Sequence, residues 1–389
     1  MSRAAPVILV APDSFKGSLS ASRFCEIAER VLGAQLPQVE IATRPMADGG
    51  EGTVEAVLQG AGGTPYRTRV TGPLGEPVEA LWGMLPDGRT AVIEMAAASG
   101  LPLVADEARD PLRASSFGTG ELIRAALDAG AQRIILGLGG SATNDGGAGA
   151  LQALGLRLLD ADGRPLPTGA GALEKLAAID ASGLDPRLAR TEVILASDVT
   201  NPLLGPKGAT AVYGPQKGVD EQTGPRLEAG LARFAEITAR LTGVDHRETA
   251  GAGAAGGMGF GMLSWLGAAL RSGFEVVADL VGLPEVFESG RLCLVVTGEG
   301  AINDQSAQGK LVGRIAQMSQ AYGVAVVALA GALQPGCEAL YGLGVVSMQS
   351  IVPRPMTLEQ AMRDSEELLA ARLRDLAGIV KLTSSCAWP

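Results

Sequence analysis

Residues 135–149 read Ile-Leu-Gly-Leu-Gly-Gly-Ser-Ala-Thr-Asn-Asp-Gly-Gly-Ala-Gly. The apolar run Ile134–Leu138 predicts a buried strand, and Ala148–Leu159 predicts a helix. Strand, glycine loop and helix N-terminus form an anion cradle. Backbone N–H groups point outward, the helix dipole favours negative charge, and glycines admit a phosphate where a Cβ would obstruct it. Gly139, Gly140, Ser141, Thr143, Asn144 and Asp145 are therefore the candidates for holding a phosphate-bearing cofactor. The chemistry indicated is that of a phosphate-handling or carboxylate-handling enzyme. The loop does not fit G-x-x-x-x-G-K-[ST], and Ala142 stands where a dinucleotide fingerprint needs its third glycine. Gly251–Gly256 does fit G-x-G-x-x-G, but Asp245-His-Arg-Glu-Thr249 before it is not a strand, so a tight glycine-lined start to a helix is the expected role.

Five further loops mix glycines with carboxylates or lysine: 11–20, 45–53, 115–121, 196–218 and 297–310. Four of them directly follow strand-like runs, where ligands of open α/β sheets bind.

The elements that would carry these loops follow from hydrophobic period. Val7–Ala11 and Glu40–Met46 predict strands, with helices over about 21–36 and 52–60. Asp48 is expected to cap the second helix. Thr64–Val70, Val78–Met84 and Thr90–Met95 predict a meander joined by Gly/Pro turns, hence a mixed sheet. Glu121–Ala129, Gln222–Thr242 and Phe260–Ser272 predict helices, and Glu192–Ala196 a strand. Strands at 292–297, 324–330 and 345–351, with helices over about 311–321 and 357–380, restore a parallel pattern. The expected fold is α/β with two domains. Residues 1–72 plus 286–389 would form a Rossmann-like parallel-sheet domain, and 73–285 an inserted mixed α/β domain carrying the glycine-rich loop. A substrate cleft between the domains is expected.

Composition narrows the function. The net charge is −10 with no polybasic run, so neither nucleic acid nor an anionic membrane is an expected partner. Cys25, Cys293, Cys337 and Cys386 are scattered, as in a reduced, cytoplasmic protein. With His246 as the only histidine, a Ser-His-Asp hydrolase or a histidine-rich metal centre is not expected, and His246 itself reads as a surface loop residue. The first residues run straight into a strand-like segment, so no signal peptide is expected.

Taken together, the six loops, with Glu94-Met-Ala-Ala-Ala-Ser-Gly-Leu101 and Gly251-Ala-Gly-Ala-Ala-Gly-Gly-Met-Gly259, closely resemble the bacterial type I glycerate kinase family along essentially the whole chain. The resemblance implies ATP-dependent phosphorylation of D-glycerate to 2-phosphoglycerate with Mg²⁺, in a cleft between two α/β domains. Phosphoryl transfer needs positioning and charge neutralisation, and the residue types suit it. Lys16, beside Asp13, Ser14 and Ser18, is placed to hold a carboxylate or phosphate, or is a solvated loop lysine. Asp198 would accept the substrate hydroxyl proton or bind metal, or it shapes the turn before Asn201-Pro202. Glu299 would contact metal or a hydroxyl, or remain a solvated carboxylate. Asp48 and Glu51 would bind substrate or cap a helix. Asp145 would reach Mg²⁺ through water or cap the helix that follows it.

The fifth loop departs from the family's Gly-Glu-Gly-Arg-Ile-Asp-x-Gln pattern. Ala301 replaces the arginine and Asn303 the aspartate, with Asp304 one residue later. Asn303 and Asp304 are the substrate-binding candidates there, although an amide cannot act as a base. Two other readings accompany the kinase reading: a kinase of a related hydroxy acid, and a weakened member that senses metabolites. A homodimer is compatible with all of them.

Overall fold

A computed structural model describes residues 5–385 of the chain, with side chains through residue 382. In chain order the strands are β1 (Val7–Val10), β2 (Glu40–Thr43), β3 (Thr64–Thr71), β4 (Pro77–Met84), β5 (Thr90–Glu94), β6 (Arg133–Gly137), β7 (Arg157–Leu159), β8 (Ala178–Asp180), β9 (Glu192–Ala196), β10 (Ala269–Arg271), β11 (Leu292–Ile302), β12 (Val326–Leu333) and β13 (Val345–Ser350). They divide between two compact units. One takes the chain through Ala47, Glu55–Ala61 and the residues from Val277 onward; the other takes Asp48–Val54 and Gly62–Val276.

The first unit is built on an all-parallel sheet in the order β13-β12-β11-β1-β2. Its central strands are continuous apolar runs, as a sheet covered on both faces requires. Val7–Val10 are all buried. The helix Ala21–Gln35 packs Phe24, Ile27, Ala28 and Leu32 onto one core with Leu369, Leu373 and Ala377 of the C-terminal helix. Ser20 caps the first of these helices, its hydroxyl accepting from the Arg23 N–H at 3.1 Å. The strand order reverses at β1, with β11 on one side and β2 on the other. The switch point therefore lies beyond the C-terminal end of β1, where residues 11–20 emerge beside the last residues of β11; that strand, expected to end at 297, continues to Ile302, so Glu299 and Ala301 lie on it rather than in a loop.

The second unit holds a six-stranded mixed sheet, β10-β9-β6-β5-β4-β3, and the small antiparallel pair β7-β8. β3, β4 and β5 form the expected meander, and β5, β6, β9 and β10 run parallel. Its core gathers Trp82, Ile93, Leu122, Ile134, Leu136, Leu151, Leu195, Phe234 and Phe260.

Three further expectations are corrected. The helix expected over 148–159 ends at Ala153, and Arg157–Leu159 is strand β7. Gly155 breaks it at φ +105°, and the alternation of buried Leu156 and Leu158 around exposed Arg157 is a strand period. The helix expected over 260–272 is found within Ala254–Leu266, whose residues 255–257 are left-handed and not helical; it stops at left-handed Gly267 and gives way to β10. The domain boundary at 72/73 also moves: β3 pairs along its whole length with β4, so it belongs to the second unit's sheet.

Among the described residues Cys25, Cys293 and Cys337 are free thiols; Cys386 lies outside them. His246 is half-buried in a loop, its Nδ1 at 3.1 Å from Thr249 Oγ1. No helix of the described residues is long and apolar enough to cross a membrane.

Candidate functional site

In the second unit, strand register puts the ends of four parallel strands in one row: Glu94 pairs with Gly137, Gly137 with Ala196, and Ala196 with Arg271. The loops that follow are therefore neighbours. The Leu138 N–H donates to the Ala196 carbonyl at 3.3 Å and the Ser197 N–H to the Arg271 carbonyl at 3.0 Å. Residues 48–54 lie over the same row. The Gly139 N–H donates to the Gly49 carbonyl at 3.1 Å, and the Val54 N–H to buried Glu94 Oε1 at 2.6 Å. Glycine is required here because a Cβ on Gly139 would stand 2.4 Å from the Gly50 Cα. Asp48, Glu51, the glycine-rich loop and Asp198 are thus gathered at one edge of one sheet.

Within that group the side chains differ in how far they are committed. Asp48, Glu51 and Asp198 are exposed. Asp48 Oδ1 accepts the Gly50 N–H at 3.0 Å, so it shapes the turn; the helix Thr53–Ala61 is preceded instead by left-handed Gly52. Asp145 is 1 % exposed. Its Oδ2 accepts from the Ser116 N–H and hydroxyl, both at 2.8 Å, and from the Gly149 N–H at 3.2 Å, while Oδ1 accepts from the Gly147 N–H at 3.1 Å. Burial pushes this carboxyl above its ordinary value, while the four donors hold it down by a lesser amount. Both oxygens hold the start of the helix Ala148–Ala153, which is the capping alternative for this residue.

The loop's other side chains are buried too. Asn144 Nδ2 donates to Thr210 Oγ1 at 3.0 Å, while Asn144 Oδ1 and Thr143 Oγ1 are buried without a hydrogen-bond partner. The 251–259 glycines lie behind this loop. The Gly146 N–H donates to the Gly256 carbonyl at 3.0 Å, across three successive left-handed residues, Ala255, Gly256 and Gly257. The G-x-G-x-x-G run is a backbone packing device.

Sequence reasoning did not single out Lys217 or Glu94. Lys217 is 2 % exposed, and its Nζ donates to Ser141 Oγ at 2.8 Å and to the Thr143 carbonyl at 2.7 Å. The signal was a lysine inside the Gly/Pro-rich run Tyr213–Gly218, a composition that equally fits a solvated turn.

In the first unit, the candidates of the first and fifth loops meet at the switch point. The Asp13 N–H donates to the Gly298 carbonyl at 2.8 Å, and the Thr297 hydroxyl to the Ala11 carbonyl at 2.8 Å. Gly300 lies against the backbone of Phe15 and Lys16. Buried Phe15 and Leu19 pin a small turn that presents Lys16, exposed, at its tip. Ser14 is half-buried, its N–H donating to Asp13 Oδ1 at 2.7 Å. Glu299 is half-buried and accepts from the Ser306 hydroxyl at 2.6 Å.

That hydroxyl also accepts the Asn303 N–H at 3.1 Å, and Asn303 Oδ1 accepts the Gln305 N–H at 3.0 Å. Asn303 is thus the N-cap of the short helix Asp304–Ala307, and exposed Asp304 is its first residue. Aspartate caps as well as asparagine, and half-buried Ala301 stands within strand β11. The double substitution Ala301→Arg, Asn303→Asp is therefore expected to raise kcat/KM for D-glycerate with little change in melting temperature. A large fall in melting temperature without kinetic gain would show that these positions serve the fold alone.

Comparison with known proteins decides the family. The profile of the glycerate kinase family matches residues 8–381. The chain belongs to the glycerate kinase family. A protein of Bacillus subtilis (strain 168) named glycerate kinase is 47% identical over 97% of this chain and 98% of its own length. One of Escherichia coli (strain K12) named glycerate 2-kinase is 45% identical, over 96% and 98%. A crystal structure from Salmonella typhimurium LT2, named as a glycerate kinase 2, superposes with a TM-score of 0.87 at 45% identity, covering 98% of this chain and all of that one. The mixed α/β architecture of this glycerate kinase family member is thus that of a solved relative.

Proposed function

We propose that this chain transfers the γ-phosphoryl group of ATP to the C2 hydroxyl of D-glycerate, giving 2-phosphoglycerate. The observation that carries the reading is the family match along 8–381, with relatives named for glycerate at 45–47% identity. The site geometry supports it. The N–H groups of Gly139, Ala142, Gly146, Gly147 and Gly149 are donated within the protein, so the expected cradle narrows and the nucleotide phosphate is assigned to the Gly140–Ser141 turn beyond the C-terminal end of β6. Asp198, exposed just beyond β9, is assigned the hydroxyl proton of glycerate. Lys16, with the Ser14 hydroxyl, is assigned the substrate carboxylate, and Asp13 and Glu299, which as carboxylates only accept, the hydroxyls.

Among the described residues no group of three metal-ligating side chains stands together. That donor set still fits Mg²⁺ in the manner of kinases, where one or two carboxylates suffice beside phosphate oxygens and waters. Asp198 is the carboxylate assigned to it, because those of Asp145 are committed inside the loop. Bound there, the ion would neutralise charge on the phosphate oxygens. The reading places the enzyme in the cytoplasm.

The test is product identity. Adding D-glycerate with MgATP should release ADP, and a phosphorus NMR spectrum should show the C2 ester. A spectrum holding only 3-phosphoglycerate would reject the regiochemistry, and ADP release with other hydroxy acids but not glycerate would reject the substrate.

A further inference from the structure

Lys217 is the residue whose placement the kinase reading leaves unexplained. A fully buried ammonium is costly unless its charge is used. A methionine would fill similar space, so packing alone does not account for a lysine. Its Nζ spends two N–H groups on the glycine-rich loop, one on the Thr143 carbonyl and one on Ser141 Oγ. Ser141 is a hydroxyl at 6 % exposure, and accepting from Nζ leaves its own O–H to donate elsewhere.

We propose that Lys217 is a positioning residue for the anion at the glycine-rich loop, delivering its positive charge to a bound nucleotide phosphate through the Ser141 hydroxyl. The inference rests on the reading that this loop holds ATP. The chain of bonds runs from the Lys217 ammonium to Ser141 Oγ, and from the Ser141 O–H to a phosphate oxygen. Each bond polarises the next, and both strengthen in a site shielded from water. Without the ammonium, the Ser141 O–H can turn back to the lysine nitrogen and is lost to the ligand.

The surroundings make this charge labile. Burial lowers the Lys217 ammonium to about 7, against a smaller upward pull from Asp145. On the adjoining turn Gly218 lies against Arg109, which pairs with Asp106, and Asp110 follows, accepting the Leu112 and Arg113 N–H groups. On the other side Asp220 accepts from Gln222 and Thr223. A phosphate dianion beyond Ser141 adds an attraction that favours the ammonium. It therefore pulls Lys217 toward its protonated form, against the burial that favours the neutral one, so binding takes up a proton.

Calorimetry of MgATP binding at pH 8, in buffers of differing ionisation enthalpy, reads that proton directly. The wild type is expected to take up more than about half a proton per nucleotide, and Lys217→Met none. Ser141→Ala, which leaves the lysine in place, should bind roughly tenfold more weakly, the loss of one charge-assisted hydrogen bond, with a smaller uptake. Nucleotide binding by the wild type without proton uptake, or undiminished uptake in Lys217→Met, would overturn the inference and leave the ATP reading standing. No binding of MgATP, or uptake on adding D-glycerate alone, would overturn the ATP reading and the inference with it.

Discussion

Replacing Asp198 by asparagine should lower kcat by about 10²- to 10⁴-fold, the usual cost of removing a general base, while the affinity for nucleotide stays close to wild type. Asparagine is the informative replacement. It keeps the size of the side chain and can still hydrogen-bond the local backbone as an Asx turn does, so a purely turn-forming role survives the change. Only the ability to take a proton or bind metal as an anion is lost. Asp198 is exposed, two residues beyond the buried end of β9, so the melting temperature should move little. Steady-state kinetics with D-glycerate, alongside nucleotide titration, separate the outcomes. Turnover near wild type would make Asp198 a turn residue and send the search for the base to Glu299.

Long periodic elements were legible in the sequence because one physical signal governed them. The helix over 311–321 matches to the residue, since Leu311, Val312, Ile315 and Ala316 form a buried stripe at helical spacing. The short elements were not. β10 is three residues long after a left-handed glycine, too brief for a two-residue alternation to be seen. Around 148–159 the apolar residues satisfy both periods, and Gly155 decided between them. The loops that hold the candidate site were visible as glycine-rich runs with carboxylates. What they do locally was not, because it depends on strand register. That Glu94, Gly137, Ala196 and Arg271 form one row follows from pairings that no single segment contains. The same holds for Asp145 and Lys217. In sequence Asp145 reads as a metal contact or a helix cap and Lys217 does not stand out; that both are buried, one satisfied by Ser116 and two glycines, the other by Ser141 and Thr143, depends on partners far away in sequence.

Two adjacent positions behind the glycine-rich loop should respond in opposite ways to an alanine–glycine exchange. Gly256 has φ +66°, and a Cβ there would stand 2.0 Å from the Thr143 carbonyl oxygen and 2.8 Å from the Asn144 Cα. Both are main-chain atoms of the loop, so no side chain can swing aside. Gly256→Ala combines a left-handed alanine, costing about 1–2 kcal/mol, with an overpacked contact costing about 1–3 kcal/mol. The expected loss of about 2–5 kcal/mol corresponds to a fall in melting temperature of roughly 5–15 °C for a unit of this size. Nucleotide affinity should fall with it, because the Gly146 N–H hangs on the Gly256 carbonyl and the loop cannot shift without releasing it. Ala255, one residue earlier, already carries a Cβ at φ +54°. Ala255→Gly relieves that strain and gives part of it back through the greater freedom of the unfolded chain, about 0.4–1 kcal/mol. Its melting temperature should stay level or rise slightly, with kinetics unchanged. A thermal melt and a nucleotide titration of both variants check the pair. Equal tolerance of the two substitutions would mean that residues 254–257 do not brace the loop, and that Asp145 and its four donors hold it alone.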